Sequence, residues 1–177
     1  MRFASMRNLD ISNGEGVGVS LFVQGCDRHC FNCFNPDTWD FNGGKEWTEE
    51  TKNKFIKLID RPYINRISVL GGEPLAEQNL DEVLSLIKEI RISFPEKTIW
   101  LYTGYKFEDL INGIHYPLDS EWEDKVLRQS IVKLCDVLVD GEYIDEQRDI
   151  TLKWRGSSNQ RVIDAKQSLA QNKIVLY

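Results

Sequence analysis

Four short apolar runs, each leading into a loop of glycine or polar residues, constrain this chain more than any other feature. Val19-Ser20-Leu21-Phe22-Val23-Gln24-Gly25 runs into a cysteine-rich loop, and Ile67-Ser68-Val69-Leu70 ends at Gly71-Gly72. Thr98-Ile99-Trp100-Leu101-Tyr102 ends at Thr103-Gly104, and Val137-Leu138-Val139 ends at Asp140-Gly141. Continuous Val/Ile/Leu runs of this length suit parallel strands covered on both faces. Helical patterns lie between them. Thr48-Glu49-Glu50-Thr51 offers a hydroxyl cap and early acids, with Phe55, Leu58 and Ile59 as an apolar face. Asn79 to Ile92 places Leu80, Val83, Leu84, Ile87 and Ile90 at helical spacing, and Pro95 stops it. Ser120 to Leu134 is a third helix, with Trp122, Val126, Ile131 and Leu134 on one side.

Strands alternating with helices predict an α/β fold of mostly parallel strands with crossover helices. In such folds ligands sit at the carboxyl ends of the strands, so the polar loops should collect along one rim. A full eight-fold barrel needs roughly 250 residues, and this chain has 177. A partial (β/α) barrel or an open sheet is therefore expected, as a single domain over residues 1–177.

Composition narrows the function classes. Hydrophobic residues at 41% and charged residues at 28% describe a globular chain. A net charge of -6 with no basic face argues against a nucleic-acid partner. No apolar run approaches the ~20 residues of a membrane-spanning helix. Met1 to Asn13 lacks the apolar core of a signal peptide, so the expected compartment is the cytoplasm. There, the four cysteines are not expected to form a disulfide framework.

Three of those cysteines share one loop. Cys26-Asp27-Arg28-His29-Cys30-Phe31-Asn32-Cys33 has the spacing C-x3-C-x2-C. Three thiolates can reach three corners of a [4Fe–4S] cluster, which ordinarily takes four cysteines. One iron would then keep an open position for a small ligand. Two alternatives stand beside this reading: zinc with His29 or Cys135 as fourth ligand, and a redox pair at Cys30 and Cys33. Zinc sites usually use two separated ligand pairs, and the redox pair leaves Cys26 without a task. Cys135, at the start of a buried strand, is expected to be a small core residue.

Gly71-Gly72-Glu73-Pro74 follows a strand directly. The glycines allow close approach to the backbone, and Glu73 adds an acceptor for a cationic group. Together with the cysteine loop this resembles the radical S-adenosylmethionine (SAM) superfamily. More narrowly, it resembles the activating enzymes of anaerobic ribonucleoside-triphosphate reductases. The resemblance runs from Gly16-Val17-Gly18 through Phe22-Val23-Gln24-Gly25-Cys26 to Cys33-Phe34-Asn35-Pro36. It resumes at Gly71 to Leu75, Tyr102-Thr103-Gly104-Tyr105, Asp136 to Gly141 and Arg155 to Arg161.

The resemblance implies a [4Fe–4S] cluster on Cys26, Cys30 and Cys33, with SAM chelating the fourth iron. One electron would cleave SAM to methionine and a 5′-deoxyadenosyl radical, which would take a hydrogen atom from a glycine of the reductase. It further implies that Asn32, Cys33 and Phe34 line the SAM site, and that Gly71, Gly72 and Glu73 accept the amino group of SAM. Asp140 would face the sugar or amino group, and Asn159 and Arg161 the carboxylate. The partners implied are the large subunit of the reductase and a reduced flavodoxin or ferredoxin. The sequence departs from the superfamily pattern at Asn32, where many members carry an aromatic; Phe34 or Phe31 could pack on adenine instead. Two other functions compete: a small SAM radical enzyme acting on a free small molecule, and a non-catalytic iron–sulfur or zinc module. The last would leave Glu73 and the glycine pair without a role.

Overall fold

The structure is a computed structural model, and it describes residues 1–112 and 122–177. Seven strands form one sheet: β1 (Arg2–Asp10), β2 (Gly18–Val23), β3 (Lys45–Glu46), β4 (Arg66–Gly71), β5 (Thr98–Tyr102), β6 (Val137–Asp140) and β7 (Arg161–Asp164). Their order across the sheet is β3-β1-β2-β4-β5-β6-β7. The four strands expected from the apolar runs are the central ones, and neighbours among them pair in parallel. Parallelism stops there. β1 runs antiparallel to both β2 and β3, and β7 runs antiparallel to β6. The sheet is therefore mixed: parallel in the middle, as expected, and antiparallel at both edges.

Helices α1 (Glu49–Ile59), α2 (Leu80–Ser93), α3 (Phe107–Asn112), α4 (Trp122–Leu134) and α5 (Ala165–Gln171) complete the fold. The Thr48 hydroxyl accepts the Thr51 N–H at 3.2 Å, the expected cap of α1. In α2, Leu80, Val83, Leu84, Leu86, Ile87 and Ile90 are buried, each stabilising the fold by about 1.5–3 kcal/mol relative to exposure. α4 buries Ile131 and Val132, but Trp122, expected on its apolar side, is 37% exposed. The expected start of that helix at Ser120, and His115, lie outside the described residues. Cys135 is fully buried, as expected of a core residue, and its thiol donates to the Ile131 carbonyl at 3.3 Å.

Strand alternation splits the sheet into two faces. Val19, Leu21, Val23, Ile67, Val69, Ile99 and Leu101 point into the main core with the buried residues of the helices. The opposite face carries a smaller cluster of Trp100, Val137, Val139 and Val162, with Tyr102 and Trp154 against it. At the amino-terminal end of β4, Arg66 is fully buried and forms an ion pair with Asp10 at 3.3 Å. It also donates to the Asp10 carbonyl at 2.7 Å. This anchors the 10–18 loop at the end of the sheet away from the cysteines. Among the described residues no helix is long and apolar enough to cross a membrane.

Candidate active site

The expectation that the strand-end loops gather on one rim is met. A cavity of roughly 540 Å³ is bordered by Cys26, Cys30 and Cys33 after β2 and by Gly71, Gly72 and Glu73 after β4. Thr103 and Gly104 after β5, and Gly141 after β6, line the same space. Its floor is the sheet face away from the helices: Phe22 stands opposite Leu70, and Tyr102 opposite Val139.

The cysteine loop is tied at its base and open at its tip. Gly25 and Cys26 donate their N–H groups to the Thr38 and Trp39 carbonyls at 2.8 and 3.1 Å, so the returning chain lies beside the end of β2. Between these ties, His29 and Asn32 adopt left-handed backbone conformations, with φ of 47° and 54°. These two reversals precede Cys30 and Cys33 and keep all three half-buried thiols on the wall of one cavity. The Asn35 N–H approaches the Cys33 sulfur at 3.4 Å. All three cysteines are free of disulfides, and three thiols on one cavity wall supply three of the four thiolate donors an iron–sulfur cluster ordinarily takes. Among the described residues no three side chains already stand as close as metal ligands do. Burial pushes the Cys26 thiol up to about 11 and raises that of Cys30. Iron must therefore displace protons from these thiols on binding. His29 is exposed and stacks on Trp39 at 4.6 Å.

Glu73 is the most constrained residue on the rim, at 1% exposure. Its Oε1 accepts the Leu75 N–H at 2.9 Å and the Thr103 hydroxyl at 2.8 Å, and its Oε2 accepts the Gly104 N–H at 2.8 Å. The Arg28 guanidinium lies 3.4 Å from Oε2 and also pairs with Glu142 at 2.5 Å. Burial raises the Glu73 carboxyl pKa, against the pull of these bonds. The carboxylate thus braces the ends of β4 and β5, and Arg28 ties the cysteine loop to that brace. Arg28 passes over Gly104, where a Cβ would lie 2.2 Å from its Cδ, and its guanidinium sits 4.0 Å from the Tyr105 ring centre. The sequence marked Thr103 and Gly104 only as part of a matching stretch and gave Arg28 no role.

The Gly71-Gly72 pair brings β4 against the cysteine loop. Gly71 has φ +114°, a conformation side-chain-bearing residues avoid. Gly72 presses on the chain just before Cys26: a Cβ there would meet the Gly25 carbonyl oxygen at 2.3 Å. The Glu73 N–H donates to that same carbonyl at 2.8 Å.

Four expected site residues lie elsewhere. Asn32 is exposed, and its amide donates to Asp145 at 2.8 Å rather than lining the cavity. Asp140 and Arg161 face each other across the antiparallel β6–β7 pair. The Arg161 Nε donates to Asp140 at 2.9 Å, and its two other nitrogens donate to Glu108 at 2.9 and 2.7 Å. Asp140 also accepts the Phe107 N–H at 2.8 Å, at the start of α3. Asn159 donates to the Glu142 carbonyl at 2.8 Å. Phe34 does border the cavity, 5.0 Å from the Tyr143 ring, while Phe31 is 73% exposed. The strap from Glu142 to Gln160, whose role the sequence left open apart from Asn159, closes one side of the cavity with Tyr143, Trp154, Arg155 and Gly156.

Comparison with known proteins agrees with this geometry. Residues 12–163 match the model of a family described as a 4Fe-4S single cluster domain. The chain is 38% identical to the anaerobic ribonucleoside-triphosphate reductase-activating protein of Salmonella typhimurium, over 92% of this chain and 97% of that protein. It is 37% identical to the protein of the same name from Escherichia coli K12, with the same coverage. The corresponding protein of Enterobacteria phage T4 is 35% identical over 92% of this chain and 93% of its own length. With cysteines, glycine pair and braced glutamate on one cavity, and similarity running nearly end to end, the chain belongs to the family of anaerobic ribonucleoside-triphosphate reductase-activating proteins.

Proposed function

We propose that this protein activates an anaerobic ribonucleoside-triphosphate reductase by generating a glycyl radical on its large subunit. One observation carries the reading: the three thiols of the cysteine loop and the Gly71-Gly72-Glu73 turn border a single cavity. A [4Fe–4S] cluster held by Cys26, Cys30 and Cys33 would supply the one-electron chemistry that cleaves SAM to methionine and a 5′-deoxyadenosyl radical able to take the glycine hydrogen.

The residues of the chain bind, orient and shield. Cys26, Cys30 and Cys33 hold the cluster. The Gly71 and Gly72 backbone receives the SAM amino group, and Glu73 fixes that turn through Leu75, Thr103, Gly104 and Arg28. Cys33 and Phe34 form the neighbouring wall, Phe34 being the loop phenylalanine that borders the cavity. Asn32, Asp140, Asn159 and Arg161 act behind the wall, holding the strap and β7 in register. The four central strands form part of a (β/α) barrel of the radical SAM type, within a single domain over residues 1–177. A reduced flavodoxin or ferredoxin is the electron donor, and the protein works in the cytoplasm.

The test is anaerobic. The reconstituted protein, a chemical reductant and SAM are mixed with the cognate reductase, and the reductase is examined by EPR. A glycine-centred radical that accumulates with methionine and 5′-deoxyadenosine is expected. SAM cleavage that leaves no radical on the reductase would direct the reading to a small-molecule substrate.

A further inference from the structure

The cavity wall carries three arginines, Arg7, Arg28 and Arg155, and two of them are spoken for. Arg28 pairs with Glu73 and Glu142. Arg7 pairs with Asp10 at 3.4 Å and lies 4.8 Å above the Phe22 ring. Arg155 is different. It is half-buried, its Nε is shut away from solvent without a hydrogen-bond partner, and among the described residues its guanidinium makes no hydrogen bond or ion pair. Asp149 lies in electrostatic range of it but is engaged with the N–H and hydroxyl of Thr151 at 2.8 and 2.6 Å. Burying a guanidinium N–H without a partner is costly, and Nε is the buried one here.

Its position relates it to the cysteine loop. Arg155 directly precedes Gly156, where a Cβ would lie 2.7 Å from the Phe34 ring, and Phe34 follows Cys33. The segment is held by the Gln160 side chain, which accepts the N–H groups of Gly156 and Ser157 at 2.9 and 3.2 Å. Arg161, by contrast, has its donors committed to Asp140 and Glu108.

From this we infer that Arg155, and not Arg161, receives the carboxylate of SAM. The inference rests on the SAM-dependent function proposed above. A planar guanidinium suits a carboxylate bidentately, and a half-buried, preformed cation gives that bond its strength. Arg155 is then a binding residue that orients the methionine end of the cosubstrate.

The experiment compares SAM with its decarboxylated analogue, which keeps the amine and sulfonium but lacks the carboxylate. Affinities are read by calorimetry on the reconstituted protein and its Arg155→Gln, Arg155→Lys and Arg161→Gln variants. Arg155→Gln should weaken SAM binding about tenfold to a hundredfold, with the analogue's affinity unchanged. Arg155→Lys should recover part of the loss. Arg161→Gln should leave the preference for SAM over the analogue intact. If Arg155→Gln keeps the wild-type preference, or loses affinity equally for both compounds, the inference is overturned. A cluster-loaded wild-type protein that binds neither compound would overturn the radical-enzyme reading itself, and this inference with it.

Discussion

Replacing Gly72 by alanine adds one methyl group, and the structure says where it must go. The new Cβ would lie 2.3 Å from the Gly25 carbonyl oxygen and 3.0 Å from that of Thr38. Ordinary carbon contacts begin near 3.5 Å, so the first contact must open by roughly 1 Å. Both obstacles are backbone, so no side chain can rotate out of the way. Gly72 itself is not in the left-handed region, and the penalty is therefore steric alone. The movement acts on the carbonyl that accepts the Glu73 N–H at 2.8 Å, one residue before Cys26. Overpacking of this kind costs about 1–3 kcal/mol, which for a domain of this size lowers Tm by roughly 3–10 °C. Displacing the cysteine loop by ~1 Å relative to the Gly71-Gly72 turn should reduce SAM cleavage on the order of a hundredfold. Calorimetric melting, iron content after reconstitution and 5′-deoxyadenosine release test these effects together. A variant with wild-type Tm and turnover would refute the claim that the two loops are in contact at this point.

Other substitutions probe the rest of the framework. Glu73→Gln keeps an acceptor oxygen for Leu75 and Thr103 but sets an amide N–H against the Gly104 N–H and leaves Arg28 short of a charge; a loss of roughly 2–4 kcal/mol is expected in urea unfolding. At Asp10, burial pushes the carboxyl up, but hydrogen bonds from Asn13 and Ser12 outweigh it and hold the pKa at about 2, below its usual 3.8. The depressed value stabilises the fold by about 2 kcal/mol above pH ~4. That contribution is lost as the pH falls towards 2, and Asp10→Asn should flatten acid unfolding over this window. Cys26→Ala, Cys30→Ala or Cys33→Ala should each abolish SAM cleavage, whereas Cys135→Ala should keep the cluster at a cost of about 1 kcal/mol; loss of the cluster in the last variant would contradict the three-ligand assignment.

What the sequence could show followed from how local its signals are. The central strands β2, β4, β5 and β6 announce themselves because both faces are covered and apolar runs fill their middles, with charged residues only at ends such as Arg66 and Asp140. β1 was missed because, of its nine residues, only Phe3 and Asp10 are buried, so neither a continuous run nor a clean alternation marks it. β7 has four residues, of which only Val162 and Ile163 are buried, too few for any period to emerge. That omission explains why the partners of Arg161 were not foreseen. Without β7 in register against β6, nothing indicates that Asp140 and Arg161 stand opposite one another and pair. The cysteine spacing and the glycine pair were legible because their chemistry is written in adjacent residues. The bond from Thr103 to Glu73 and the ion pair from Arg28 to Glu142 join residues 30 and 114 positions apart, and no local pattern encodes them. The unpaired state of Arg155 is likewise a property of the folded cavity alone.

The central claim is that the three thiols hold a cluster with one iron open to SAM. The most direct measurement reconstitutes the protein with iron and sulfide, reduces it without oxygen, and records its EPR spectrum with and without SAM. A [4Fe–4S]⁺ signal whose shape changes on adding SAM, in the wild type and in Cys135→Ala alike, is the predicted result. A signal indifferent to SAM, or tight zinc in place of any cluster, would contradict it.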